Sequence, residues 1–289
     1  MRVGFLGLGV MGTPMAMNLA REFQLTVWNR SPSKCLPLEQ AGARIAATPA
    51  EAAAESEIIF VMLFDGPAIQ SILDDDFKKA LRGRILVNTS SVPADFSHYL
   101  AKEVQDAGGD FIEMPVSGSK GPAEQGQLVG MMAGDPAVAE RIKPALEPIT
   151  ATAVYCGPIG TGLMTKYAVN LVAITMTCGL GEAMNLARAQ GLNLEAFKQV
   201  LDAGPMASAY SKVKTSKMLN QDWSAQAGIA DCYNSTQLIE TAAKESKAQS
   251  PLIHLCGLLY KHAVQSGLGD EDMIAVHKVF ADPSLNTSD

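Results

Sequence analysis

Cysteine is scarce in this sequence, and no two cysteines form a C-x-x-C pair. The five are Cys35, Cys156, Cys178, Cys232 and Cys256, scattered along 289 residues. An odd and dispersed set gives neither a disulfide framework nor zinc-ligand spacing. The four histidines, His98, His254, His262 and His277, are equally isolated. We therefore expect core thiols in a reducing compartment, surface or hydrogen-bonded histidines, and no metal site.

Basic runs and long apolar segments are also missing. Lys and Arg number 23 against 30 Asp and Glu, for a net charge of −7. A chain without a basic stripe is a poor partner for nucleic acid or an anionic membrane. The most apolar stretch, residues 167–181, has 15 residues and includes Asn170, so we expect it to be too short to span a bilayer. The N-terminus does not resemble a signal peptide, and these features predict a cytoplasmic protein.

What is present in the first half is an alternation of short apolar runs with helical patterns. At 47% apolar residues the chain can bury two domain cores. The expected strands are Arg2–Leu6, Leu25–Trp28, Ile58–Leu63, Ile85–Asn88, Asp110–Glu113, Gln127–Ala133 and Ala153–Cys156. Helices are expected between them, among them Pro14–Arg21, Ala68–Asp74 and Pro136–Ile149. Strand–helix–strand repetition predicts an α/β fold with a doubly wound, mainly parallel sheet.

The second half has no strand-like run. A long helix is expected from about Leu163 to Ala189, stopped by Gly191. Five more helices are expected at Leu194–Asp202, Ser211–Leu219, Ala230–Ser246, Leu252–Ser266 and Asp272–Phe280, before a frayed end at Leu285–Asp289. We therefore predict two domains, residues 1–161 and an all-helical domain at residues 162–289, joined by the long helix.

The first glycine cluster fits the dinucleotide-binding fingerprint. Gly7-Leu8-Gly9-Val10-Met11-Gly12 has the pattern G-x-G-x-x-G, follows a predicted strand and opens a predicted helix. Glycine permits a tight turn and a close approach of the backbone to a pyrophosphate, which the helix N-terminus attracts. The alternative is a glycine-rich turn that binds no nucleotide.

The end of the second strand favours NADP(H) over NAD. An Asp or Glu about 20 residues after the glycines would bind the ribose hydroxyls of NAD, and none is present. Asn29 leaves room for a 2′-phosphate, and Arg30 can pair with it, with Ser31 and Lys34 nearby. In the alternative, Arg30 and Lys34 merely lie in a solvated loop.

Lys166 and Asn170 are candidates for chemistry. They are spaced i, i+4 near the start of the long helix and therefore share one face. We expect them to point at one small site between the domains. A lysine that extends to solvent from a boundary helix is the alternative.

Three motifs give this sequence its resemblance to the β-hydroxyacid dehydrogenases, the group of 3-hydroxyisobutyrate dehydrogenase and tartronate semialdehyde reductase. They are the glycine cluster at residues 7–12, a segment like the family's substrate-binding segment at residues 114–128, and one like its catalytic segment at residues 157–170. Within the family, the segments at 27–31 and 115–128 most resemble the glyoxylate/succinic semialdehyde reductases, which use NADPH. The resemblance implies a Rossmann domain followed by an all-α domain.

The roles implied for other residues follow from these motifs. Ser117 and the Gly118 backbone N–H would receive a substrate carboxylate, and Ser91 occupies the position that contacts nicotinamide or substrate. Met62 and Leu63 would lie beside the cofactor. Turn hydroxyls at the two serines and simple packing at the apolar pair are the alternatives.

One departure from the family lies on a later helix. The family has a Lys-Asp pair where counting back from Pro251 places Asn234 and Ser235. Asn234 would therefore face the cofactor or substrate without the family's positive charge, with Asp231 a weaker candidate for a shifted counterpart.

Together these observations predict an NADPH-dependent reductase of small carboxylated aldehydes or ketones, with Lys166 as proton donor and Asn170 orienting Lys166 or the substrate. A 3-hydroxyisobutyrate-type dehydrogenase acting oxidatively and an NADP-binding sensor without turnover are the alternatives. An imine reductase shares the architecture, but the lysine favours carbonyl chemistry. We further expect a homodimer or a dimer-based tetramer, because helical domains of this kind leave apolar surface exposed in a monomer.

Overall fold

The computed structural model describes residues 1–281, so the expected frayed segment Leu285–Asp289 lies outside the described residues. The chain divides into two compact units, with the division between Lys166 and Tyr167. The sequence predicts a domain boundary at residue 161. Residue 161 begins the long helix, and the division between the two units falls inside that helix. The extent of the two functional domains stays a prediction.

The first unit is built on one nine-stranded sheet. Its strands are β1 (Arg2–Leu6), β2 (Gln24–Trp28), β3 (Arg44–Ile45), β4 (Ile58–Val61), β5 (Ile85–Asn88), β6 (Asp110–Glu113), β7 (Val116–Ser117), β8 (Leu128–Gly134) and β9 (Thr150–Gly157). All four residues of β4 and of β5 are buried, as expected for central strands covered on both faces.

The order of the strands is that of a doubly wound sheet. It runs β3-β2-β1-β4-β5-β6-β8-β7, and β9 also pairs with β8. The first six strands are parallel, whereas β8 runs antiparallel to β6 and β7 and parallel to β9. The Rossmann-type α/β architecture predicted from the sequence is confirmed, and its six parallel strands have the order 3-2-1-4-5-6.

Eight helices connect these strands. They are α1 (Gly12–Glu22), α2 (Leu36–Gln40, after a 3₁₀ turn at Pro32–Cys35), α3 (Pro49–Ala54), α4 (Gly66–Gln70), α5 (Asp75–Ala80), α6 (Ala94–Asp106), α7 (Lys120–Glu124) and α8 (Pro136–Leu146). The single helix expected at Ala68–Asp74 is wrong. Asp65 and Asp74 each accept a backbone N–H three residues ahead, so each carboxylate begins a short helix of its own.

The helical part follows from residue 161. Its elements are α9 (Thr161–Ala189), α10 (Leu194–Ala203), α11 (Ala209–Leu219), α12 (Ile229–Glu245), α13 (Pro251–Gln265) and a 3₁₀ helix at Met273–Ala281. The sequence predicts an α-helix at Asp272–Phe280, and this last element corrects that prediction, because it is a 3₁₀ helix. The N–H of Ala275 donates to the carbonyl of Asp272 at 2.7 Å, a bond that spans three residues as in a 3₁₀ turn.

The length of α9 corrects the argument about membrane spanning. The helix has 29 residues and contains an 18-residue window of mean hydropathy 1.3, of which 28% is buried. By length and composition alone it is therefore long enough to cross a bilayer, contrary to the expectation from residues 167–181. A core helix of a globular domain meets the same criterion.

The second unit encloses a buried ion pair. The Nζ of Lys214 on α11 lies 2.7 Å from Oδ1 of Asp272, and their side chains are 2% and 0% exposed. Asp272 also accepts the backbone N–H groups of Gln226 and Ile274, so its charge is compensated from three directions. Burial lowers the pKa of Lys214, and the neighbouring carboxylate of Asp272 opposes that shift. Asp272 is thus a deeply buried anchor of the second unit.

The cysteines in the described chain are free thiols. Four of them are buried and Cys156 is half-buried. A hydrogen bond with Cys256, followed by burial, raises the pKa of Cys178. These thiols therefore lie mainly in the core, as the sequence indicated.

Candidate functional site

The residues singled out from the sequence follow the carboxyl ends of neighbouring parallel strands. Strands β2, β1, β4 and β5 lie side by side in that order, and the predicted cofactor residues come directly after each of them. Parallel strands end at one edge of the sheet, and ligands of doubly wound folds bind there. The site residues of the first unit are thus collected along one edge. They are Asn29–Ser31 after β2, the glycine turn after β1, Met62 and Leu63 after β4, and Ser91 after β5.

The glycine turn has the geometry that a dinucleotide requires. A Cβ on Gly7 would lie 2.2 Å from the carbonyl oxygen of Met62, and one on Gly12 would lie 1.9 Å from that of Gly7. A Cβ on Gly9, by contrast, would have no atom of the rest of the described chain within 4 Å. The backbone at Gly9 is therefore open to a ligand, while Gly7 and Gly12 allow the turn to close against β4 and α1.

The N-terminus of α1 is available to an anion. Its cap residue is Met11, which supplies no side-chain hydrogen bond, and its first turn holds no acidic residue. The unsatisfied N–H groups and the positive end of the helix dipole favour a phosphate at such a position. The residues present therefore fit a dinucleotide at this turn.

Asn29 has a more specific role than the sequence suggested. Its Oδ1 accepts the N–H of Leu8 at 2.8 Å, and its Nδ2 donates to the carbonyl of Ser31 at 3.0 Å. One amide thus joins the glycine turn to the loop after β2, which an acidic side chain could not do with both partners. Arg30 follows it in that loop and is exposed.

A cavity of about 610 Å³ opens beside Gly9 and is lined by three cationic side chains. Lys34 was expected from the sequence, whereas Arg21 on α1 and Lys120 on α7 were not. Arg21 donates from Nη1 to Oδ1 of Asn18 at 2.9 Å, which orients the guanidinium. One carboxylate, Glu124, also lines the cavity, so positive charge predominates. No local motif marks Arg21 and Lys120, because it is the packing of α7 against α1 that places both of them at one cavity.

The ends of β4 and β5 are joined by hydroxyl groups. Ser90 Oγ accepts the N–H of Leu63 at 2.9 Å, and Thr89 Oγ1 donates to the carbonyl of Val61 at 2.7 Å. These two hydroxyls hold the strand ends together. Ser91, the residue with the proposed ligand role, follows them and is half-buried, as are Met62 and Leu63.

The expected carboxylate-binding residues lie just beyond β6. Ser117 ends the short strand β7 and is half-buried, while Gly118 is exposed with φ +127°. A Cβ on Gly118 would lie 2.6 Å from Cδ2 of Leu128, so this glycine permits a close turn. Its backbone is left accessible beside the Ser117 hydroxyl.

Lys166 and Asn170 occupy the beginning of α9, one helical turn apart, and both are half-buried. Asn170 Nδ2 lies 3.4 Å from Oγ of Ser235 on α12. The sequence marks Ser235 only as a departure from the family, and the structure makes it a contact of Asn170.

Asn234, the neighbouring residue on α12, is exposed. Asp231, a weak candidate from the sequence, accepts the N–H of Gly228 at 3.3 Å and so caps the start of α12. Its position therefore has a structural explanation. Among residues 1–281, no group of three or more His, Cys, Asp or Glu is placed to hold a metal ion.

Comparison with known proteins agrees with this geometry. Residues 2–157 match the NAD-binding domain of 6-phosphogluconate dehydrogenase, and residues 160–280 match the NAD-binding family of NADP-dependent 3-hydroxyisobutyrate dehydrogenase. The second match includes α9, which is thus an element of the family's helical domain. Fold and site together define an NAD(P)-dependent oxidoreductase.

The chain belongs to the β-hydroxyacid dehydrogenase family. It is 34% identical over 280 residues to glyoxylate/succinic semialdehyde reductase 1 of Arabidopsis thaliana, covering 96% of this chain and 97% of that protein. A structure of Psf3 in complex with NADP+ and 2-OPP is 26% identical with a TM-score of 0.89, covering 96% of this chain and 99% of the other. The fold is shared with 3-hydroxyisobutyrate dehydrogenase from Salmonella typhimurium at a TM-score of 0.89 and 23% identity, with coverage of 96% and 99%. The resemblance seen in the sequence motifs is confirmed.

Proposed function

We propose that this protein reduces small carboxylated aldehydes or ketones, such as glyoxylate or succinic semialdehyde, with NADPH, and that Lys166 is the proton donor. The observation that carries the proposal is the pair Lys166 and Asn170 on the first turns of α9. An ammonium group and an amide one turn apart share a helix face, so they can supply a proton donor and an orienting group for carbonyl reduction. The name of the Arabidopsis relative supports the substrate class.

The roles of the side chains follow from their chemistry. NADPH, when bound, supplies the hydride. The Lys166 ammonium stabilises the negative charge that develops on the carbonyl oxygen and donates a proton to it. Asn170, in contact with Ser235, orients Lys166 or the substrate. Ser117 and the Gly118 N–H would receive the substrate carboxylate, and Ser91 would contact nicotinamide or substrate.

Preference for NADPH over NADH is supported by the charge around the cofactor edge. Arg30 and Ser31 lie in the loop after β2, where the 2′-phosphate of a bound cofactor would be read. Arg21, Lys34 and Lys120 line the adjoining cavity. A phosphate dianion gains more from such a cluster than a ribose hydroxyl does.

A panel of aldehydes tests the substrate class. NADPH consumption is followed with glyoxylate, succinic semialdehyde, tartronate semialdehyde and methylmalonate semialdehyde. Turnover with at least one of them is expected. If none is reduced while NADP+ is reduced with 3-hydroxyisobutyrate, the second candidate holds, an oxidative 3-hydroxyisobutyrate dehydrogenase. That candidate is favoured by the family match of residues 160–280.

Lys166→Ala tests the proton donor. Loss of a positioned acid is expected to lower kcat by a factor on the order of 10² to 10⁴, while NADPH titration by fluorescence still shows binding. The matched control is Lys102→Ala, which removes an exposed lysine from α6 and should leave kcat unchanged. Near-normal turnover of Lys166→Ala would refute the role of Lys166.

Two further expectations accompany the proposal. The chain should associate with copies of itself into a dimer or a dimer-based tetramer. Location in the cytoplasm stays a prediction from the sequence.

A further inference from the structure

A fully buried carboxylate joins the sheet to the helix that carries Lys166. Glu113 is the last residue of β6 and is 0% exposed. Its Oε2 accepts the N–H of Gly160 at 3.0 Å, and its Oε1 accepts the N–H of Leu163 at 2.8 Å. A charge at such depth is tolerated only when hydrogen bonds compensate it. The donors here are backbone N–H groups at the start of α9, where the helix dipole also favours a negative charge.

This cap differs from others in the molecule. Asp65, Asp74 and Asp135 cap their helices from two or three residues before the N–H that they accept. Glu113 lies 47 and 50 residues from its two donors. A local cap stabilises the helix that follows it, whereas this one also fixes where the helix begins relative to the sheet.

The glycines before Lys166 are explained by the same contact. A Cβ on Gly162 would lie 2.9 Å from Oε1 of Glu113 and 2.5 Å from the carbonyl oxygen of Met131. Gly162 is therefore a glycine because the carboxylate and β8 both approach it closely. Part of the G-x-x-G-x-G spacing thus serves to seat the first turn of α9 against the end of β6 and the middle of β8.

We propose that Glu113 is a positioning residue for Lys166, fixing the first turn of α9 to the carboxyl end of β6. Lys166 lies three residues, or about one turn, after Leu163. Ser117 lies four residues after Glu113 on the other side. One carboxylate therefore ties together the chain segments that carry the proton donor and the carboxylate-binding serine. This inference rests on the proposed function, since it takes Lys166 to be the donor.

Glu113→Gln is the first variant. The single amide oxygen can accept one of the two N–H groups, and the NH₂ opposes the other, so the start of α9 is no longer held at both points. A small displacement of a catalytic group is costly, and we expect kcat to fall by roughly ten- to a hundredfold. The Kd of NADPH should change less than about twofold, because the glycine turn and α1 keep their contacts.

Gly162→Ala is the second variant, and it keeps the carboxylate. Alanine favours helix formation in general, but here its Cβ must displace Glu113 or the first turn of α9. We therefore expect Gly162→Ala to lower kcat by the same factor. This variant tests the proposal even if Glu113→Gln does not fold. The matched control is Asp135→Ala, which removes a carboxylate cap from α8. It should lower the melting temperature without lowering kcat.

A double-mutant cycle separates positioning from a general effect. If Glu113 acts through Lys166, the Lys166→Ala/Glu113→Gln double variant should be no slower than Lys166→Ala. Additive losses would overturn the proposal, as would wild-type kcat in both Glu113→Gln and Gly162→Ala. Failure of the proposed function would give a different result, because the Lys166→Ala variant alone would then keep near-normal turnover.

Discussion

At the scale of single residues, Arg30 is the side chain on which cofactor choice should depend. It is exposed in the loop after β2, the position at which Rossmann domains distinguish a ribose hydroxyl from a 2′-phosphate. If Arg30 binds the 2′-phosphate as proposed, Arg30→Ala removes a charge-assisted hydrogen bond worth about 1.5–3 kcal/mol. We expect the Kd of NADPH to rise by roughly ten- to a hundredfold and that of NADH to change little.

The measurement is a fluorescence titration of both cofactors. Arg82→Ala removes another exposed arginine of the first unit and is the matched control. Equal weakening of NADPH and NADH in Arg30→Ala would show that Arg30 does not read the 2′-phosphate.

Single-residue roles could be predicted from sequence only where a local pattern marks them. The G-x-G-x-x-G turn and the i, i+4 spacing of Lys166 and Asn170 are such patterns. Glu113 is marked by no pattern, because its partners lie 47 and 50 residues away. The pairing of Lys214 with Asp272, 58 residues apart, could not be predicted from the sequence for the same reason.

At the scale of elements, the 3₁₀ helix at Met273–Ala281 is held to α9 by a buried neutral histidine. Arg188 Nη1 lies 3.0 Å from His277 Nε2, and a guanidinium can only donate, so Nε2 accepts. His277 Nδ1 therefore carries the proton and faces the carbonyl of Gly181 at 3.3 Å. Burial lowers the pKa of His277, the hydrogen bond with Gly181 opposes that shift, and the charges of Arg188 and Lys278 reinforce it.

This arrangement predicts that acid weakens the fold. The unfolded chain protonates His277 near its ordinary pKa of about 6.5, whereas the folded chain does so only at lower pH. Between those two values the unfolded state binds more protons, so the free energy of unfolding falls as the pH falls, by up to about 1.4 kcal/mol per unit. Urea unfolding at several pH values measures this slope.

His277→Gln should reduce the slope, since glutamine does not titrate. His98→Gln, a change at an exposed histidine of α6, should leave it as in the wild type. An identical slope in the wild type and His277→Gln would contradict the interpretation.

The elements themselves were largely predictable. The bounds of β1, β5 and β6 agree with the apolar runs from which they were expected, because buried parallel strands leave a strong signal. The two-residue strand β3 was missed, since Arg44–Ile45 is too short to show a period. The prediction at Ala68–Asp74 is wrong because the helical pattern runs past the end of α4 at Gln70 as far as Asp74, which caps the separate helix α5.

At the scale of the whole molecule, α13 presents an apolar stripe to solvent in a single chain. Leu252, Leu255 and Leu258 are 65%, 57% and 52% exposed and are spaced three residues apart. Such a stripe on a helix is expected to be buried against another surface. A second copy of the chain is the expected partner, because symmetric self-association is the common solution for such faces.

We therefore expect light scattering to show a dimer or tetramer at micromolar concentration. Leu255→Lys should shift the population toward the monomer, because it places a charge in the face that is expected to be buried between two copies. Leu36→Lys alters a leucine of similar exposure, 51%, in the first unit and should leave the mass unchanged. A monomeric wild-type protein would end this expectation.

The continuity of α9 has a consequence for cutting the chain. The two compact units divide between Lys166 and Tyr167, inside a helix of 29 residues that extends about 44 Å. Proteases cleave extended chain, so the bond at this division is protected until the helix unwinds locally. A fragment that ends at residue 166 also loses the helical hydrogen bonds that hold its final turn. A cut before α9 would instead keep Lys166, the proposed proton donor, on its helix, but it would remove Leu163 as a partner of the buried Glu113 carboxylate.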